Sequence, residues 1–191
     1  MSSTMVEERP SDAGLTLVEL TVAMALSILI IGVAVGLFAS AAKSQTTISS
    51  RSSASTSAQL VMRSLTQGIE NASEFSVQAS GSDLMLVART AGTGATLTWK
   101  CRAWYYQSST QTVRTTTTAD GTKILLPTST QLASWTRLAT NISPVGTTPI
   151  FQGVGQNLQV GFVAAVVSGQ SVTMQTTILQ QSGVGASGTC Y

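Results

Sequence analysis

Glu19 is a carboxylate set against 23 uncharged residues, Leu20 to Ala42, and Cys101 and Cys190 are the two thiols of the chain. An ionisable group at the centre of a bilayer costs roughly 2.5–3.5 kcal/mol on insertion scales and less near the interface, so a carboxylate at the edge of such a run calls for a cationic partner or a function. Two thiols allow a single intramolecular bond. In the chain-entropy model, closing a loop of about 90 residues stabilises a domain by somewhat more than 4 kcal/mol, and an oxidising compartment would let the bond persist. Histidine is absent, which removes imidazole acid–base chemistry, Ser-His-Asp and Cys-His nucleophiles, and imidazole metal sites. Two cysteines alone do not make a zinc site. The carboxylates Glu70, Glu74, Asp83 and Asp120 are scattered, with no spacing that argues for a glycosidase pair. Gly92-Thr93-Gly94 lacks the rest of a dinucleotide fingerprint and a following amphipathic helix, so it is expected to be a turn. The chemistry on offer is ion pairing and disulfide formation, with no catalytic residues and no cofactor or metal expected.

The element that positions Glu19 must be a helix. At 1.5 Å per residue the run from Leu20 to Ala42 is roughly 35 Å long, enough to cross a hydrocarbon core of about 30 Å with some tilt. Gly32 and Gly36 form a small-xxx-small pair within it, the spacing that lets two helices approach closely in a bilayer or a packed filament. Residues four apart share a helix face about 6 Å from one another, so Leu15 and Glu19 would stand on the same side.

The sequence Gly14-Leu15-Thr16-Leu17-Val18-Glu19 followed by this apolar run resembles the processing site of the type IV pilin superfamily, which includes pilins, minor pilins and pseudopilins. The resemblance covers about thirty residues and continues beyond them only as a layout. It implies that a prepilin peptidase cuts after Gly14, that Leu15 becomes an N-methylated first residue, and that Glu19 sets the register of assembly. It further implies other pilin subunits, assembly platform proteins and the membrane as partners, with the C-terminal domain outside the cytoplasmic membrane. The amine released on Leu15 would neutralise the Glu19 of a neighbouring subunit only in the assembled state. Desolvation offsets the attraction of such a pair, so its expected contribution is registry rather than stability. Gly36 stands where filament pilins often carry a helix-breaking proline, and glycine permits either a bend or a straight passage.

An ordinary secretory signal peptide is the rival reading, since Ala39-Ser40-Ala41 has the form of a small-residue cleavage site. Against it, the apolar run exceeds the 7–15 residues of a typical signal core, and the flank Glu7, Glu8, Arg9, Asp12 is net acidic. Lys43 and Arg51 follow the span, so a positive-inside count favours the reverse orientation, whereas the peptidase motif requires a cytoplasmic leader. On the rival reading the chain is an exported adhesive or ligand-binding domain with a signal peptide or a permanent single-span anchor.

Beyond the span, Ala58, Val61 or Met62, Leu65, Ile69 and Ala72 recur at helical spacing, which predicts an amphipathic continuation over residues 43–75. The serine-rich stretch Ser49 to Ser57 allows a flexible linker as the alternative. Period-two alternation then predicts strands at Leu84–Ala88, Ala95–Tyr106, Leu158–Ala164 and Val172–Ile178, the last two joined as a hairpin through Ser168-Gly169-Gln170-Ser171. Leu97, Trp99, Cys101, Ala103 and Tyr105 are expected on a buried face, and Lys100 and Arg102 on a solvated one. Residues 107–150 read as the most loop-like region, with Arg114 to Asp120 an exposed hairpin tip and Trp135 and Leu138 anchoring a short element. The expected organisation is a leader over residues 1–14, a membrane or filament-core helix over 15–42, the amphipathic continuation, and a β-rich domain over 76–191. The fold class is α+β, a long N-terminal helix packed on one antiparallel sheet of four to seven strands. Lys100, Arg102, Arg114, Lys123 and Arg137 near Trp99, Trp104, Tyr105 and Tyr106 suggest single-stranded DNA as a partner, which the burial expected of the aromatic rings opposes.

Overall fold

The computed structural model describes residues 16–92, 96–166, 170–181 and 190–191. A single helix, α1, runs from Leu17 to Glu70 without interruption through the serine-rich stretch, so that stretch is helix rather than linker. By chain contacts the molecule divides near Gln45 into an N-terminal unit and a unit spanning Thr46–Tyr191. In the first, every described residue is exposed, including Leu37 at 68% and Phe38 at 78%. Apolar side chains in this state need lipid or protein around them.

In the second unit α1 buries Ala58, Val61, Ser64, Leu65, Gly68 and Ile69. Their three- and four-residue spacing makes one stripe, as the sequence periodicity predicts. The helix stops at Glu70 rather than at residue 75, and β1, Ala72–Ser80, begins two residues later. Ala72, expected on the helix face, instead enters the core from this strand. Asn71 marks the change: its side-chain amide donates to the Gln67 carbonyl at 2.8 Å, satisfying one of the acceptors that a helix end exposes.

The expected α+β layout of a long helix packed on antiparallel sheet is present, and among the described residues nine strands divide into two such sheets rather than one. The first is a meander of β1, β2 (Asp83–Ala91), β3 (Trp99–Gln107), β4 (Thr112–Ala119) and β5 (Thr136–Ala139) in chain order. In the second, β8 (Asn157–Ala164) pairs with β6 (Ile142–Pro144), β7 (Phe151–Val154) and β9 (Val172–Leu179). Gly81 and Gly155, both at φ near +60°, supply the left-handed residue that tight hairpins need after β1 and β7. The predicted β8–β9 hairpin is present with Leu158 opposite Ile178 and Phe162 opposite Met174, while part of its turn lies outside the described residues.

The main core joins the helix stripe to Leu86, Ala88, Trp104 and Tyr106 of the first sheet and to Phe151, Leu158, Val160, Phe162 and Ile178 of the second. At Gly68 the helix comes so close to the sheet that a Cβ would overlap the Trp104 ring. The opposite face of the first sheet is also covered. Met85, Val87, Cys101, Ala103 and Tyr105 pack there against Ile124, Leu132, Trp135 and the C-terminal Cys190 and Tyr191.

This second layer corrects the expectation of one buried and one solvated face on β3. Lys100 is exposed, but Arg102 lies half-buried on the helix side, beside the fully buried Trp104. Residues 114–119 belong to β4, a strand paired on both sides, and the true tip of that hairpin is at residues 108–111. The stretch 107–150, expected to be mostly loop, contains β4, β5, β6 and the short helix α2, Ser129–Ser134. Alternation there is carried by threonine, whose methyl and hydroxyl serve either face, so hydropathy alone hides the strand.

Candidate functional site

Thr16 starts the helix. Its Oγ1 accepts the Glu19 N–H at 3.3 Å, and its carbonyl accepts the Leu20 N–H at 3.1 Å. One of the unpaired amides of the first turn is thereby satisfied. Glu19 thus occupies the third helical position, exposed, where a carboxylate complements the positive end of the helix dipole. The Thr16-x-x-Glu19 spacing is that of a capping box, a signal present in the sequence beside the charge itself. Gly14, Leu15 and the rest of the expected leader lie outside the described residues.

Gly32 and Gly36 are both exposed on α1, and a Cβ at either would meet nothing within 4 Å. Their smallness therefore serves no contact among the described residues. The helix passes through Gly36 without a break in its hydrogen bonding pattern. It is the one described helix long and apolar enough to cross a membrane.

In the body, Cys101 and Cys190 form the expected disulfide, with Cα atoms 5.3 Å apart and a sequence separation of 89. The bond fastens the C-terminus to the centre of the first sheet, and the Ile124 N–H donates to the Cys190 carbonyl at 2.9 Å beside it.

The body's carboxylates hold turns and edges. Asp83 accepts Tyr105 Oη–H at 2.7 Å, the Ser108 N–H at 2.8 Å and Ser108 Oγ–H at 2.7 Å, tying the β1–β2 turn to the β3–β4 turn. Burial works to raise the Asp83 carboxyl, but the Ser108 and Tyr105 donors outweigh it and hold it below its ordinary range. Burial pushes the Tyr105 phenol up to about 12, with the Asp83 hydrogen bond and charge acting in the same direction. Asp120 grips Arg89 through two bonds, 2.7 Å to Nε and 2.6 Å to an η nitrogen. The Arg89 guanidinium also lies 4.6 Å from the Trp99 ring centre. Hydrogen bonding to Arg89 lowers the Asp120 carboxyl.

The residues that suggested nucleic-acid binding do not form a stacking platform. Trp104, Tyr105 and Tyr106 are buried, and Trp99 is covered by Arg89. Arg102 stacks on Trp104 and donates to Ser64 Oγ at 3.0 Å, the same hydroxyl that accepts Trp104 Nε1–H at 2.8 Å. Burial lowers the Arg102 pKa from its ordinary value. Ser64, on the buried helix stripe, is the polar contact that sequence periodicity passed over, because a serine on a core face carries no hydropathy signal.

Comparison with family models, with curated proteins and with solved structures finds no match to this chain.

Proposed function

We propose that the chain is a structural subunit of a type IV pilus-like filament or a related secretion or DNA-uptake machine, of the minor pilin or pseudopilin kind. On this reading a prepilin peptidase cuts after Gly14, and Leu15 becomes the methylated N-terminus. The helix over residues 15–42 waits in the cytoplasmic membrane with the body outside. Assembly platform proteins then move the subunit into a filament, where Glu19 meets the amine of a neighbouring subunit.

The observation that carries the reading is the composition of α1. A capped helix opens with a carboxylate, continues through an exposed, uncharged apolar stretch, and then presents a buried stripe to the sheets within one uninterrupted element. A secretory signal would be removed with that apolar stretch, and a simple anchor gives Glu19 nothing to pair with. The disulfide agrees with a body placed in an oxidising compartment. The size of the body and the Trp104-Tyr105-Tyr106 strand favour a larger minor subunit over an abundant major one.

The reading is tested by Glu19→Ala in the native host. The variant is expected to be processed and retained in the membrane while disappearing from the sheared filament fraction. Recovery in that fraction at the wild-type level would contradict the assembly role of Glu19.

A further inference from the structure

The pairing of β4 with β5 contains an irregularity with a chemical consequence. Val113 faces Ala139, but the next residue, Arg114, faces Arg137, so Leu138 is an extra residue on β5. This bulge turns Leu138 and Ala139 together toward the main core. It also sets two arginines directly opposite each other on the other face, where cross-strand Cβ atoms lie about 5 Å apart. Like charges so placed destabilise a sheet.

Neither guanidinium is neutralised by any of the described residues. Among the described residues, Arg114 makes one hydrogen bond, from an η nitrogen to the Trp135 carbonyl at 3.1 Å, its Nε is buried without an acceptor, and neither arginine has an ion pair. Asp83, at the start of β2 and separated from β4 by β3, has its oxygens engaged by Tyr105 and Ser108. The same face continues past Trp135 into a shallow trough lined by Thr116, Thr118 and Lys123. The Arg114 η N–H groups not held by the Trp135 carbonyl, the exposed Arg137 guanidinium and the threonine hydroxyls make a surface of donors with an excess of positive charge.

We propose that Arg114 and Arg137 form an oxyanion site that takes a phosphate group. A phosphate carries up to two charges and at least three acceptor oxygens, so one group answers both guanidinium forks, whereas a single carboxylate has two oxygens and one charge to share between them. The site lies within the Thr46–Tyr191 unit and is independent of how the chain is anchored or processed.

The test is thermal unfolding of the full chain in non-ionic detergent, with inorganic phosphate exchanged for chloride at constant ionic strength. Phosphate is expected to raise the Tm of the wild type. Arg137→Gln is expected to unfold at a higher temperature than wild type without phosphate, because the like-charge repulsion is gone, and to lose most of the phosphate-dependent rise. Arg114→Gln should lose the rise as well. Arg137 is exposed, so its variant carries the test even where Arg114→Gln fails to fold. Equal phosphate-dependent rises in wild type and Arg137→Gln would overturn the site, because that is the response of a generally excluded salt. No rise in the wild type would overturn it too. A polyglutamate peptide that raises the wild-type Tm where phosphate does not would overturn the phosphate assignment in favour of an acidic protein partner. With phosphate active, a short single-stranded DNA that reproduces the Arg137-dependent rise at lower concentration would support the site and identify its source as a phosphodiester polymer.

Discussion

Residues 17–45 and 46–70 belong to one helix, yet their apolar side chains meet opposite fates. In the first stretch valine, leucine, isoleucine and phenylalanine occur all round the helix and all are exposed; in the second Val61, Leu65 and Ile69 form a stripe that vanishes into the core, and only Ile48 and Leu60 stay exposed among the large aliphatic side chains. A stripe is what a helix needs to satisfy its own domain, and an all-round apolar surface is what it needs when its whole circumference must be covered by something else. The difference separates two roles: the second stretch holds the body together, while the surface of the first is left for lipid or protein to cover.

Substitutions can break that division of labour. The largest expected effect lies in the body, where Cys101→Ser with Cys190→Ser should cost about 4 kcal/mol in denaturant unfolding of the full chain. A loss below about 1 kcal/mol would mean that the body does not depend on fastening its C-terminus. Next, Leu65→Ala should destabilise the body by about 3 kcal/mol. Leu29→Ala, the same chemistry in the first stretch, should move body unfolding by less than about 0.5 kcal/mol. Similar effects from the two would erase the distinction.

Asp83→Asn should cost about 1 kcal/mol, since it removes the charge from three hydrogen bonds at a partly solvated turn. The native Asp83 carboxyl is held below its unfolded value, so its contribution is present above the ordinary carboxylate range and fades as pH falls through the lowered folded value. Stability measured from pH 6 down to pH 2 should therefore fall less steeply in the variant, and parallel curves would contradict the Asp83 clasp. The smallest effect is expected at Gly32→Leu with Gly36→Leu. Body unfolding should be unchanged, while self-association of the helix in bilayers, read by energy transfer, should weaken by about 1 kcal/mol.

The helix was legible because one half is an unbroken apolar run and the other repeats apolar residues at helical spacing, while the disulfide followed from there being two cysteines and the Leu158–Ile178 hairpin from period-two alternation. Two features were not. A sheet covered on both faces loses the alternation that marks its solvent side, so Arg102 looked solvated when it stacks on Trp104. Strand β4 is built of Thr112, Thr115, Thr116, Thr117 and Thr118 around Val113 and Arg114, and such a segment reads as polar loop until cross-strand pairing is known. The Arg114–Arg137 juxtaposition depends on a one-residue bulge, and local sequence fixes no register of that kind. The split into two sheets likewise follows from which strands pair, not from any one strand's composition.

The central claim concerns the first turn of α1, and the N-terminal residue and intact mass of the protein recovered from membranes of its native host test it most directly. The account predicts a chain that begins at Leu15 and carries one additional methyl group. A chain that begins at Ala42, or that retains Met1 uncut, would contradict prepilin processing and leave an exported or anchored domain in its place.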